Sequence, residues 1–86
     1  MNKKFDKEIV DLLCKINDPA LMIDLLNGIL TSQEREEIAV RLQIVKKLLA
    51  GEPQAKIAKD LGVGIATVTR GSRELKAGRF KVLRSL

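Results

Sequence analysis

The sequence predicts an all-α protein of about six helices, and three observations support this prediction. Apolar residues recur at the three-to-four-residue spacing of amphipathic helices, and no segment alternates as a β-strand would. Proline and glycine interrupt the chain at intervals of helix length. Hydrophobic residues make up 45% of the chain but aromatic residues only 2%, so aliphatic side chains must form the core. We expect a single helical domain spanning residues 1–86.

The first helix is predicted from Phe5 to Ile16, where five apolar residues recur at helical spacing. A second helix follows directly, because Asp18 can cap a helix and Pro19 suits its first position. We expect this second helix to reach about Asn27. The apolar residues expected to face inward are Phe5, Ile9, Leu12, Leu13 and Ile16 in the first helix and Leu21, Met22, Leu25 and Leu26 in the second.

The third helix is predicted from a capping box, in which the hydroxyl of Thr31 and the carboxylate of Glu34 each bond the other residue's backbone N–H. It is expected to run to Ala50, with Gly51 as its C-cap. Acidic residues near its start and lysines near its end suit the helix dipole. The apolar stripe of this helix consists of Ile38, Leu42, Val45, Leu48 and Leu49.

Residues 54–77 are predicted to form a helix-turn-helix, in which two short helices are joined by a tight turn. Ile57 and Leu61 are four residues apart and share one face of the first helix. Gly62 lies where a left-handed backbone favours glycine. Val68 is then expected to fill the angle between the two helices.

The last predicted helical stretch, Arg79 to Leu86, is short and needs tertiary or partner contacts to be stable. A chain of 86 residues without a disulfide is also small for a single core, which favours oligomerisation. The single cysteine, Cys14, is consistent with a reducing cytoplasm and is expected to be a small buried hydrophobe.

The charge is divided unequally along the chain. Residues 41–86 hold eleven Lys or Arg against three acids, whereas residues 1–40 hold five against eight. A basic half suits a polyanionic partner.

A membrane helix is disfavoured, because aromatic anchors, a signal peptide and a spanning segment are not found. The sequence offers no histidine, nucleophile–base pair, metal cluster or phosphate loop, so we expect no enzyme.

The exposed start of the motif's second helix is predicted to read DNA. Ile65 and Ala66 suit thymine methyl groups, and Thr67 and Thr69 suit base edges, directly or through water. The predicted DNA-contacting residues, including those expected at phosphates, are Gln54, Lys56, Lys59, Gly64, Ile65, Ala66, Thr67, Thr69, Arg70 and Arg73.

The segment GIATVTRGS at residues 64–72, followed by Leu75-Lys76-Ala77, resembles the tryptophan repressor family. The similarity continues upstream through LLNGILTSQERE at residues 25–36, so it covers roughly residues 25–86. It implies an intertwined homodimer, in which the first, third and last helices of both subunits share a core. The paired reading helices of such a dimer would enter successive major grooves of a palindromic site, about 34 Å apart.

The resemblance also implies a ligand site, since the family binds tryptophan between two arginines that match Arg41 and Arg70. The residues it implies for this site are Leu30, Thr31, Arg41, Arg70, Gly71 and Glu74. Tryptophan-binding members carry leucine where this chain has Gly28 and serine where it has Glu74. The corepressor therefore stays open between tryptophan and another amino acid. A second interpretation assigns both arginines to phosphate contacts or to an internal ion pair with Glu74.

These observations together predict a cytoplasmic, sequence-specific transcription regulator that binds double-stranded DNA as a homodimer. We expect it to repress transcription. We expect the operator sequence of this protein to differ from that of similar repressors. Ala55 and Ala58 stand where the first helix of their motif carries an arginine and a lysine. The alternative hypothesis is a helical dimeric protein–protein adapter whose basic face binds an acidic partner.

Overall fold

The computed structural model describes all residues 1–86 and contains six α-helices and no strand. The helices are α1 (Lys3–Lys15), α2 (Pro19–Ile29), α3 (Ser32–Leu49), α4 (Gln54–Leu61), α5 (Ile65–Lys76) and α6 (Lys81–Arg84). The predicted all-α class and the number of helices are confirmed. The chain divides into two compact units, Met1–Arg35 and Glu36–Leu86. None of the six helices is both long and apolar enough to span a bilayer.

Side-chain caps start the first two helices. The Asn2 side chain accepts hydrogen bonds from the backbone N–H groups of Lys4 and Phe5, each at 3.0 Å. Asp18 accepts from the backbone N–H of Ala20 at 3.0 Å, with a proline in the first turn of α2, as predicted. The predicted end of α2 near Asn27 is wrong by two residues, because Gly28 continues the helix and the backbone ladder closes only at Leu30.

The capping box of α3 is confirmed. The Thr31 backbone N–H donates to Glu34 Oε1 at 2.9 Å, and the Glu34 backbone N–H donates to Thr31 Oγ1 at 3.1 Å. The bond from the Thr31 backbone, and next the bond to its hydroxyl, lower the pKa of the Glu34 carboxyl. The ionised carboxylate is therefore the form that the folded chain favours.

We expect Thr31→Ala to lower the free energy of unfolding by about 1 kcal/mol near neutral pH, because an N-cap hydroxyl is lost. A carboxyl whose pKa is lowered by folding stabilises the fold above its unfolded pKa, and this contribution disappears as the pH falls through the lower, folded value. The stability of the wild type should therefore decline in acid. Urea unfolding over a pH series measures both effects. Ser32→Ala, one residue further on, is the control and should change the stability little.

The first unit has no buried residue of its own. Apolar side chains that were predicted to face inward are exposed, including Phe5, Leu12, Leu13 and Leu21. Cys14 is also exposed, so the prediction that it is buried is wrong for this chain. The physical reason is that α1 and α2 together are too small to cover their own apolar faces.

The core lies in the second unit, where three helices meet. Ile44 of α3, Ile57 of α4 and Val68 of α5 are the largest fully buried side chains. The half-buried residues packed against them are Val40, Leu48, Ala58, Leu61 and Val63. The predicted packing of Ile57 and Val68 within the helix-turn-helix is confirmed.

Two glycines allow this packing. Gly62, between α4 and α5, has a φ of 67° and a left-handed backbone, as predicted. Gly71 of α5 faces α3 so closely that an added Cβ would lie 3.2 Å from Ile44 Cγ2. A larger residue at position 71 would therefore push α5 away from α3.

The predicted apolar stripe of α3 is only partly buried. Val45 is fully buried and Leu48 half-buried, but Ile38, Leu42 and Leu49 are exposed. The helix therefore packs one side against α4 and α5 and leaves a second apolar side open. We call Ile38, Leu42 and Leu49 the outer face of α3.

Candidate nucleic-acid interface

The start of α5 is exposed on one side and packed against the core on the other. Gly64 precedes the helix with an extended backbone, and Ile65, Ala66 and Thr67 are all exposed. Val68, the next residue, is completely buried. The buried Val68 side chain thus anchors this helix turn. The side chains of Ile65, Ala66 and Thr67 remain accessible and can approach base edges in the major groove.

The side chain of Thr69, unlike those of Ile65, Ala66 and Thr67, is hydrogen-bonded to another residue. It is half-buried, and its hydroxyl donates to Gln54 Oε1 at 2.8 Å. This bond joins the first residue of α4 to the second turn of α5, so two predicted DNA contacts form one hydrogen-bonded pair. This pairing could not be predicted from the sequence, because the two residues are fifteen positions apart.

The three lysines near α4 differ in their partners. Lys56 Nζ lies 2.8 Å from Asp60 Oδ2 and 3.2 Å from Glu52 Oε1. The hydrogen bond to Asp60, followed by that to Glu52, raises the pKa of Lys56, and the same lysine lowers the pKa of Asp60. Lys47 also approaches Glu52, at 3.6 Å. Lys59 is exposed and makes no ion pair. A phosphate contact at Lys56 must therefore compete with two carboxylates, whereas Lys59 is free for one.

We expect Lys59→Ala to weaken binding to all duplexes about equally and to lower the slope of log K against log salt by about one. Lys56→Ala is the matched control, since it removes the same charge from the same helix. Its slope should change less, because its ammonium is already paired. Fluorescence anisotropy over a salt series, with two unrelated duplexes, measures both slopes. Equal slope changes would contradict the difference in pairing.

Further cations lie along α5. Arg70 and Arg73 are exposed and make no ion pair, so both are available to phosphates. Arg79, just beyond the helix, is paired instead, with its Nε 3.3 Å from Glu74 Oε2. An internal ion pair of Glu74 with Arg41 or Arg70, one of the alternatives left open by the sequence, is therefore not formed.

A cavity of about 320 Å³ lies in the second unit beside α5. Its lining consists of Arg41, Ile44, Val45, Ala66, Thr67, Arg70, Gly71, Glu74 and Phe80. Four residues of the predicted ligand site thus share one cavity, namely Arg41, Arg70, Gly71 and Glu74. Leu30 and Thr31, the other two, belong to the first unit. No group of His, Cys, Asp or Glu side chains is arranged to hold a metal ion.

Phe80 is a wall of this cavity that sequence analysis missed. It is the one residue other than glycine with a positive φ, 64°, and it immediately precedes α6. A phenylalanine in this conformation is strained, so the surrounding contacts must hold it there. The hydrogen bond from the Arg84 guanidinium to the Leu75 carbonyl ties α6 to α5 next to it. The only sequence signal was that Phe80 is one of two aromatic residues.

Six helices, with a turn-linked pair that exposes a basic surface, are typical of small helical DNA-binding proteins. The chain belongs to the Trp repressor family, since the family model described as Trp repressor protein matches residues 5–84. The match begins within α1, so the similarity extends further towards the N-terminus than the residues 25–86 recognised from sequence. The family consists of DNA-binding transcription regulators and not of enzymes, which confirms the prediction that this chain is no enzyme.

Individual relatives show the same similarity. The chain is 44% identical over 72 residues to a Trp operon repressor homolog of Vibrio parahaemolyticus, which covers 83% of this chain and 70% of the relative. It is 46% identical over 71 residues to a Trp operon repressor homolog of Vibrio vulnificus, covering 81% and 70%. A Trp operon repressor homolog of Vibrio cholerae is 54% identical over 54 residues, covering 62% and 52%.

Proposed function

We propose that this protein is a transcriptional repressor that binds a palindromic operator as a homodimer, with α5 in the major groove. The observation that carries the proposal is the exposed first turn of α5, Ile65–Thr67, anchored by the buried Val68. Family membership supports repression, and the names of the relatives, Trp operon repressor homolog, agree with it. A cytoplasmic location belongs to the same proposal, because the operator is the target.

The chemistry of the surface supports a division of labour. Ile65 and Ala66 offer methyl groups to thymine, and Thr67 offers a hydroxyl to a base edge. Lys59, Arg70 and Arg73 carry unpaired charges on α4 and α5, which suit phosphates on either side of the groove. The remaining predicted contacts are Gly64, whose lack of a side chain lets the backbone approach, together with Gln54, Lys56 and Thr69.

The homodimer is supported by the apolar surface of the single chain. Fifteen large hydrophobic side chains are exposed and only five hydrophobic residues are buried. Such a proportion is unusual for a stable monomer, and small domains commonly gain burial by oligomerisation. We propose that a second copy covers α1, α2 and the outer face of α3. Two-fold symmetry would then present the two α5 helices to half-sites one DNA turn apart.

An amino-acid ligand in the cavity beside α5 is part of the proposal. Arg41 and Arg70 line the cavity without an ion pair, and a guanidinium pairs well with a carboxylate and stacks on flat groups. Glu74 is engaged by Arg79, so it leaves both arginines free. Calorimetry with tryptophan and with the other amino acids tests this part. We expect at least one amino acid to release or absorb heat on binding the wild type, and the same amino acid to give no binding heat with Arg41→Gln. If no amino acid gives binding heat with the wild type, control by an amino-acid ligand is contradicted.

Selection of bound duplexes from genomic fragments, followed by footprinting, tests the main proposal. We expect protection of a two-fold symmetric site and binding that weakens steeply with salt. The alternative, a dimeric adapter with a basic face, predicts no protected site and capture of an acidic protein. A protein that binds no duplex at low salt would contradict the repressor.

A further inference from the structure

The Gln54–Thr69 pair has a consequence for base selection, because its hydrogen bond has a direction. The Thr69 hydroxyl donates and Gln54 Oε1 accepts, at 2.8 Å. Both residues are half-buried, so the pair is held by its surroundings as well as by the bond. It lies at the crossing of α4 and α5, beside the exposed first turn of α5.

The number of hydrogens decides what each partner can still offer. A threonine hydroxyl has one hydrogen and two lone pairs. Since Gln54 takes the hydrogen, Thr69 can only accept from a further partner. The glutamine amide has two N–H groups on Nε2, and its oxygen keeps one lone pair after accepting the Thr69 hydrogen. The Nε2 group of Gln54 is therefore still free to donate.

Base edges in the major groove differ in the same property. The hydrogen-bond donors there are the exocyclic amino groups of adenine (N6) and cytosine (N4), whereas guanine and thymine present acceptors. A hydroxyl that can only accept distinguishes these two sets. The amide N–H groups of Gln54 suit phosphate oxygens, which are acceptors.

The neighbours on α4 do not compete for this role. Ala55 and Ala58 carry no polar group, so they make no hydrogen bond to a base. Lys56 is engaged by two carboxylates. Lys59, the remaining cation of α4, is assigned to a phosphate, so the hydroxyls of α5 are the uncharged polar groups left to read bases.

We propose that the Gln54–Thr69 pair makes Thr69 an acceptor that selects adenine or cytosine at one position of each half-site, while Gln54 donates to a backbone phosphate. This rests on the proposed function, since it requires α5 in the major groove. Thr69 is the specificity-determining residue, and Gln54 acts on the base through Thr69 as a positioning residue.

The test begins with selection of duplexes from a randomised pool by the wild-type protein and four variants. Circular dichroism and thermal melts of every variant establish that each is folded. Thr69→Val removes the hydroxyl at nearly constant volume and should abolish the preference at one position per half-site. Thr69→Ser keeps the hydroxyl and should keep the preference.

The two variants of Gln54 separate its roles. Gln54→Glu keeps an acceptor for the Thr69 hydrogen but loses both donors, so affinity should fall for all duplexes while the base preference stays. Gln54→Leu frees the Thr69 hydrogen, so guanine and thymine should become acceptable at the same position. A structural role alone would not redirect the preference in this way.

A chemical substitution in the DNA supplies the final measurement. The selected adenine or cytosine is replaced by the analogue that lacks its amino group. Wild-type affinity should fall about fivefold or more, as expected for loss of a base-edge contact. Thr69→Val should bind both duplexes equally. A wild-type preference for guanine or thymine at the position that Thr69→Val alters, or an unaltered preference in Thr69→Val, would overturn the inference alone. A wild type that binds no duplex would overturn the repressor itself.

Discussion

Ile57→Ala will lower the free energy of unfolding by about 2–4 kcal/mol, which is a large part of what holds a small domain together. Ile57 is fully buried at the meeting of α3, α4 and α5, with Ile44 and Val68 as its fully buried partners. So few large side chains fill this core that the cavity left by alanine has few neighbours able to move into it. The effect should reach DNA binding, because the same core sets the crossing of α4 and α5.

Ile65→Ala is the matched control for this experiment. Ile65 has the same side chain and lies on the adjacent helix, but 52% of it is exposed. We expect its stability to change by less than about 0.5 kcal/mol, as for surface positions generally. Its affinity for the selected operator should fall instead, if the side chain meets a thymine methyl. Urea unfolding and anisotropy of both variants separate the two effects. Equal destabilisation would contradict the described burial of α4 and α5.

Local signals carried most of the fold, because the residues that produce them are close in the chain. The capping box of Thr31 and Glu34 involves two residues three positions apart, and the geometry is as the sequence predicts. The left-handed turn at Gly62 depends on a single residue and is equally direct. The pairing of Lys56 with Asp60 was within reach of the same reasoning, since residues four positions apart meet on a helix.

Features that depend on distant residues were out of reach. An apolar stripe shows which side of a helix avoids water but not what covers it, so Cys14 and Leu42 were assigned to the interior and are exposed. The bond between Gln54 and Thr69 depends on how α4 crosses α5, and sequence spacing does not specify that crossing. The strained backbone of Phe80 has no local cause, since its residue type favours the opposite conformation.

Leu42→Glu is expected to separate the proposed dimer into monomers and to abolish operator binding. Leu42 is 43% exposed on the outer face of α3, so a single chain loses little packing when it is replaced. In a dimer that covers this face, the new carboxylate would be buried without a partner, which is strongly unfavourable. The dimer dissociation constant should rise by at least about 100-fold, since an uncompensated buried charge costs several kcal/mol.

The loss of DNA binding follows from the loss of the second reading helix. Two linked half-sites bind more tightly than one by about 10²–10⁴, so a monomer should bind the palindrome no better than a half-site. The control is Gln43→Glu. Gln43 is exposed and adjacent in sequence, and the variant adds the same charge away from the apolar side, so this protein should remain dimeric. Sedimentation velocity gives the oligomeric state, and circular dichroism gives the helix content. A Leu42→Glu protein that stays dimeric and binds normally would contradict a dimer formed through the outer face of α3.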